Sequence, residues 1–80
     1  MDPDLKDLID FIAKALVDDP KNVSVDSIET ETSVIIELKV DKSDVGKVIG
    51  KGGQTASALR KILHAAATKQ KKTSLLKILE

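Results

Sequence analysis

The residues best suited to chemistry stand in one short stretch, "GKGG", residues 50–53. Gly50, Gly52 and Gly53 surround Lys51, and a run of helix-forming residues follows them. Each glycine costs backbone entropy, so this density indicates a backbone that must be approached closely or that adopts positive φ angles. Backbone N–H groups at the start of a helix attract anions, and Lys51 adds a full positive charge at the loop tip. The chemistry that this arrangement favours is phosphate binding.

Two well-known nucleotide-binding loops do not fit this stretch. A Walker A loop needs G-x-x-x-x-G-K-[ST] after a strand, but Gly46 and Gly50 are one residue too close and no hydroxyl follows Lys51. The dinucleotide fingerprint G-x-G-x-x-G and its parallel βαβ unit are also absent. Lys47 and Arg60 flank the loop, which supports a phosphate cradle of another kind. The alternative is a corner between two helices that needs only tight backbone geometry.

The charge distribution also points to a polyanionic partner. The 80 residues carry a formal net charge of zero, but the two halves differ strongly. Residues 1–44 hold 12 acidic and five basic residues, whereas residues 45–80 hold eight basic residues and one acid. Such asymmetry between halves is a better guide to nucleic-acid binding than the total charge. A solvated surface that merely happens to be polarised is the other interpretation.

Composition excludes several classes of protein. Eighty residues, 41% of them hydrophobic, predict one globular domain spanning 1–80. No apolar run approaches the roughly 20 residues of a membrane span, and the acidic N-terminus does not resemble a secretory signal. The absence of cysteine excludes disulfides and fits a reducing compartment, so we expect a cytoplasmic protein without a membrane partner. One histidine and no cysteine do not supply a usual zinc ligand set, and we predict no metal and no cofactor.

The first half of the chain predicts one helix and two strands. Apolar residues at the spacing of one helix face are Leu5, Leu8, Ile9, Ile12, Ala13 and Leu16. Asp2 can cap this helix with Pro3 at its first position, and Pro20 suggests its end. The strands carry Val23, Val25 and Ile28, then Val34, Ile36, Leu38 and Val40, and the polar "ETETS" between them predicts an antiparallel hairpin.

The second half predicts two helices and a strand. Ser43 or Asp44 can cap a short helix that Gly50 ends, because a left-handed residue is needed there. A longer helix follows Gly53 and runs to about Thr68, with its apolar face at Ala56, Leu59, Ile62, Leu63 and Ala66. "TKQKK" is predicted as a basic loop, and "TSLLKILE" as a last strand or a helical turn. The order α-β-β-α-α-β predicts an α+β fold, with a layer of helices against a small sheet.

"VIGKGG", residues 48–53, placed between two helices, resembles the GXXG loop of the KH domain, which clamps a single-stranded backbone of about four nucleotides. The element order resembles that of the type II KH domain, which implies an α+β fold with three helices packed on a three-stranded mixed sheet. Over nearly the whole chain, including "LIDFIAKALVDDP" and "VIIELKV", the sequence is similar to the KhpA family of small bacterial single-KH RNA-binding proteins. Thr55 departs from the pattern, which would place a bulky apolar residue after the loop.

The resemblance implies single-stranded RNA as the ligand and an RNA chaperone or post-transcriptional regulator as the function. It also implies a homodimer, a KhpB-type KH-containing partner, and effects on cell shape and cell-wall homeostasis. The predicted RNA-binding residues are Lys47, Val48, Ile49, Gly50, Lys51, Gly52, Gly53 and Arg60. The apolar platform for bases would come from Val48, Ile49, Leu59 and part of the last strand. An aromatic stacking platform is excluded, because Phe11, in the first helix, is the one aromatic residue.

Two other classes of function remain open at this point. A protein-interaction module would use the glycine corner only to fix two helices, with apolar residues of the long helix forming a dimer surface. An enzyme is not indicated, because the spacing shows no activated nucleophile, metal cluster or paired carboxylates near the loop. His64 is expected to be an ordinary, partly exposed helix residue rather than a general base.

Overall fold

The computed structural model describes residues 4–80. The helices are α1 (Leu5–Leu16), α2 (Val45–Ile49) and α3 (Gln54–Lys69), and the strands are β1 (Ser24–Glu29), β2 (Ser33–Lys39) and β3 (Thr73–Leu79). Short 3₁₀ turns at Pro20–Asn22, Lys42–Asp44 and Lys51–Gly53 precede β1, α2 and α3. The predicted order α-β-β-α-α-β is confirmed. No helix in the described part of the chain is long and apolar enough to span a membrane.

The three strands form one mixed sheet in the order β1-β2-β3. β1 and β2 are antiparallel, as the hairpin pattern predicts, and β3 pairs with β2 in parallel. The last segment is therefore a strand rather than a helical turn. A parallel return requires a crossover, and α2, the glycine loop and α3 supply it. This topology places α3 against β3 and leaves α1 over β1.

The core lies between the helices and one face of the sheet. Alternate residues of β2 point inward, so Val34, Ile36 and Leu38 are buried while their neighbours are not. Helix α1 buries Leu5, Ile9 and Ala13 against them. Packing of these apolar side chains is the main stabilising contribution in so small a domain.

Three residues of the predicted apolar faces are exposed instead, and a fourth is only partly buried. Ile28 is 56% exposed because it lies on the open face of the sheet, opposite to Val25. Leu16 is exposed at the end of α1, which stops there, several residues before Pro20. In α3 the buried stripe is Ala56, Leu59, Leu63 and Ala67, so Ile62 points to solvent and Ala66 is only partly buried. The buried face of α3 is therefore rotated slightly about the helix axis from the face that hydrophobicity alone favours.

The ends of the helices also differ from the predictions. Asp2 and Pro3 lie outside the described residues, and the N-cap of α1 is Asp4, whose carboxylate accepts a hydrogen bond from the Lys6 N–H at 3.0 Å. α3 extends to Lys69, so the predicted loop "TKQKK" contributes its first two residues to the helix. Lys71 takes a positive φ of 62° in the tight turn that remains.

Candidate nucleic-acid interface

The glycine loop turns sharply between α2 and α3. Gly50 ends α2 with φ 78° and ψ 168°, and its N–H donates to the Gly46 carbonyl at 2.9 Å. Gly52 and Gly53 adopt left-handed conformations, with φ 64° and 76°. Three positive φ values within four residues explain why this loop is so rich in glycine.

The three glycines are needed for different reasons. A Cβ built on Gly50 would lie 2.7 Å from the Thr55 Cβ, 2.9 Å from its backbone nitrogen and closer still to its Oγ1. Gly50 is therefore held directly against the start of α3, and Thr55 leaves no gap beneath the loop. A Cβ on Gly52 or Gly53 would meet nothing within 4 Å. Those two residues are constrained only by their φ angles, and the space beside them is open.

The two lysines around the loop are in different environments. Lys51 is exposed at the tip and makes no ion pair within residues 4–80. Lys47, in the last turn of α2, has its Nζ 3.1 Å from Asp18 Oδ2 and 3.5 Å from Asp44 Oδ1. The hydrogen bond to Asp18 raises the pKa of Lys47, with Asp44 adding a smaller effect in the same direction. Lys47 is thus firmly cationic but already partnered.

Asp44 is a buried carboxylate that sequence reasoning placed at a helix cap. It occupies the N-cap position of α2, but its side chain makes no capping hydrogen bond and is 2% exposed. Instead it accepts hydrogen bonds from the backbone N–H groups of Asp18, at 3.3 Å, and Asp19, at 3.1 Å. Asp41 caps the preceding 3₁₀ turn through the Ser43 N–H. Asp44 therefore ties the end of α1 to the start of α2.

We expect Asp44→Ala to destabilise the protein by about 1–3 kcal/mol, because two backbone donors would lose their acceptor in a partly buried position. For a chain of this length each kcal/mol corresponds to a fall in Tm of roughly 4–8 °C. Thermal unfolding followed by circular dichroism measures the change. Asp41→Ala is the matched control, since its carboxylate is solvated, and it should shift Tm much less. Equal Tm values for Asp44→Ala and the native chain would contradict the structural role of Asp44.

A groove runs between α3 and the free edge of β3. A cavity of about 200 Å³ is lined by Arg60, Leu63, His64, Ser74, Leu75 and Leu76. It adjoins a shallow depression of about 390 Å³ on α3 lined by Ser57, Arg60, Lys61 and His64. Sequence reasoning selected Arg60 from this group but not Lys61 or His64. Their i, i+3, i+4 and i+7 spacing on one helix stripe is the signal that could have found them.

The edge of β3 offers backbone hydrogen-bonding groups to this groove. On the β2 side, Thr73 donates its N–H to Thr32 and Leu79 accepts from the Val40 N–H. Because alternate residues of a strand direct their N–H and C=O groups to opposite sides, Ser74, Leu76 and Ile78 direct theirs to the open edge. Arg60 Nη2 donates to the Leu76 carbonyl at 3.3 Å, which holds the guanidinium across the groove.

The predicted apolar platform is partly wrong. The Val48 side chain is fully buried and that of Leu59 is 3% exposed, because both face the sheet and belong to the core. Neither side chain can contact a base. Ile49 is partly exposed beside the loop, and Leu75 is about half exposed on β3. The accessible apolar surface therefore comes from Ile49 and β3 rather than from Val48 and Leu59.

The structure brings the other predicted site residues together around one corner. Gly50, Lys51, Gly52 and Gly53 form the loop, and Lys47 lies one turn before it on α2. Arg60 lies two turns into α3, along the adjoining groove. Within residues 4–80, no group of three or more His, Cys, Asp or Glu side chains is placed to hold a metal ion. The arrangement is a cationic loop with open backbone, continued by a groove with polar and apolar walls.

Comparison with known proteins identifies the family. The family model described as "KhpA/KhpB, KH domain" matches residues 6–78. The chain is 51% identical over 76 residues to the RNA-binding protein KhpA of Aquifex aeolicus, covering 95% of this chain and 96% of the relative. It is 47% identical over 75 residues to the RNA-binding protein KhpA of Clostridium perfringens, covering 94% of this chain and all of the relative. No solved structure matches the chain at a significant level. With its observed α+β order and mixed sheet, the chain belongs to the KhpA/KhpB family of KH domains.

Proposed function

We propose that this chain binds single-stranded RNA through the Gly50–Gly53 loop and the groove between α3 and β3. The observation that carries the proposal is the exposed loop of left-handed glycines, with Lys51 at its tip and open space beside Gly52 and Gly53. Its relatives bear the name RNA-binding protein KhpA, which supports RNA as the ligand. As in KH domains generally, the loop clamps the backbone while unstacked bases lie against the groove.

Each part of the site has a role in this mechanism. The backbone N–H groups of Lys51 and Gly52, together with the Lys51 ammonium, hold phosphate oxygens, because those of Gly50 and Gly53 already donate to backbone carbonyls. No side chain at Gly52 or Gly53 blocks the approach of the phosphates. Bases lie over Ile49 and reach the open edge of β3, where N–H and C=O groups of Ser74 and Ile78 pair with base edges. Aromatic stacking contributes little, since Phe11 lies on α1 and no aromatic residue lines the groove.

Binding should be weak and depend strongly on salt. Contact with about two to four phosphates predicts a log–log salt slope of about −1.4 to −2.8 for a single strand. Fluorescence anisotropy with a short labelled RNA at four salt concentrations measures this slope. NMR titration with the same RNA should shift residues 47–54, the α3 stripe and β3, and leave α1 unchanged. A slope near zero, or shifts confined to α1 and β1, would contradict the proposal.

The weakness of one site suggests how the protein acts. A second KH site, from another copy of this chain or from a KhpB-type KH-containing protein, would raise overall affinity by making the second contact intramolecular. In this proposal the protein is a cytoplasmic RNA chaperone or post-transcriptional regulator. Its effects on cell shape and cell-wall homeostasis would be consequences of the RNAs that it binds.

A second candidate function is a protein-interaction module without direct RNA contact. The observation that favours it is Ile62, which is 44% exposed in the middle of α3. An exposed isoleucine on a long helix suits a contact between two copies. Analytical ultracentrifugation of Ile62→Asp, with RNA binding measured on the same samples, distinguishes the two. If dissociation of the dimer left RNA affinity per chain unchanged, assembly and RNA binding would be separate properties.

A further inference from the structure

The Lys47 ammonium lies between two carboxylates of different character. Asp44 is buried and held by two backbone hydrogen bonds, so its carboxylate is fixed. The Asp18 side chain is 81% exposed, and within residues 4–80 its carboxylate has no partner other than Lys47. The Asp18 backbone N–H is bound to Asp44, so the residue stays beside Lys47 while its side chain can rotate away.

The exposed Asp18 carboxylate takes a contact with the Lys47 ammonium that a phosphate oxygen could otherwise make. A carboxylate and a phosphate offer the same kind of oxygen to an ammonium group. Exposed ion pairs of this kind are weak and screened by salt, so a polyanion can displace Asp18. The displacement still lowers affinity, because the free energy of the broken Lys47–Asp18 ion pair is subtracted from that of RNA binding.

We propose that Asp18 is an intramolecular competitor for RNA phosphate at Lys47 and thereby sets the affinity of the loop. This inference rests on the proposed function, in which RNA lies along the Gly50–Gly53 loop. Lys47 is then a phosphate contact that becomes available only when Asp18 turns outward. This competition keeps RNA binding weak and RNA release fast, which suits a protein that binds many different RNAs in turn.

The test is the RNA affinity of Asp18→Asn. The asparagine keeps the backbone N–H that donates to Asp44 and removes only the charge. Asp10→Asn is a closely matched control, because Asp10 also pairs with a lysine, Lys14, at 3.0 Å and the net charge changes equally. At low ionic strength we expect Asp18→Asn to bind a labelled single-stranded RNA about three- to fivefold more tightly, with less gain at high salt. Asp10→Asn should gain less than about twofold.

A double variant tests whether the effect passes through Lys47. In the Lys47→Gln background, adding Asp18→Asn should give no more gain than Asp10→Asn gives, since no ammonium remains to be released. Equal affinities of Asp18→Asn and Asp10→Asn would overturn the inference, and so would a full gain that persists without Lys47. Asp18→Ala, judged by the same criteria, replaces Asp18→Asn if the latter lowers Tm. If the native chain binds no RNA, the proposed function fails and the inference fails with it.

Discussion

Lys51→Asp combined with Gly52→Asp should abolish RNA binding while leaving the fold intact. The pair changes the loop charge by three units at the position where phosphates are held, so we expect at least a ~30-fold loss of affinity at about 0.1 M salt. Lys51 is exposed, and nothing lies within 4 Å of a Cβ on Gly52. Aspartate tolerates a left-handed conformation better than most residues, which limits the loss of stability when it replaces Gly52, whose φ is 64°.

Lys51→Asn combined with Gly52→Asn is the matched control. It places side chains of the same shape on the same backbone without negative charge, so it separates charge reversal from any change of loop conformation. We expect it to lose only about three- to fivefold in affinity, since one phosphate contact is removed and no repulsion is added. Fluorescence anisotropy gives the affinities, and circular dichroism and ultracentrifugation check helix content and oligomeric state.

The result decides between the two candidate functions. If the aspartate pair retains native RNA affinity, the loop is not the binding site, and a glycine corner that fixes two helices becomes the better interpretation. If the aspartate pair loses RNA but keeps its oligomeric state, RNA binding belongs to the loop and does not depend on assembly. If both variants lost RNA equally, loop shape rather than charge would control binding.

The element order and the loop could be predicted because their signals are local. The alternation of Val34, Ile36 and Leu38 defines β2, and the density of glycine at 50–53 marks a loop with positive φ. Each depends on residues that are close in the chain. The mixed sheet could also be predicted, but only through resemblance to a family. Nothing within residues 73–79 specifies that β3 pairs with β2.

The parts that could not be predicted depend on contacts between distant segments. The sequence predicts Asp44 as a helix cap, yet its carboxylate oxygens accept hydrogen bonds from the backbone N–H groups of residues 18 and 19, about 25 positions earlier. Val48 is an apolar residue beside the loop, and only the position of the sheet shows that its side chain belongs to the core. In the same way, Ile62 and Ala67 both fit an apolar helix face, and packing selects Ala67. Hydrophobicity alone gives the face of α3 to within about one residue.

Gly50→Ala should cause the largest loss of stability of any single substitution in the loop. The φ of 78° with ψ of 168° belongs to a region that only glycine occupies readily, which costs about 1–3 kcal/mol for another residue. The added Cβ would also overlap Thr55, including its backbone nitrogen, which cannot move without displacing the start of α3. We expect a total loss of about 2–4 kcal/mol in the free energy of unfolding, measured by urea titration.

Alanine substitutions at two other glycines should change the stability by different amounts and serve as comparisons for Gly50→Ala. Gly52→Ala meets only the φ penalty and should cost about 1–2 kcal/mol. Gly46→Ala adds a methyl group to an open position in α2, where φ is not positive, and should stabilise the protein by about 0.5–1 kcal/mol. Equal losses for Gly50→Ala and Gly52→Ala would show that contact with Thr55 is unimportant. Because Gly50 is packed against Thr55, the predicted order would mean that the start of α3 holds Gly50 in place, while Gly52 remains free to meet a phosphate.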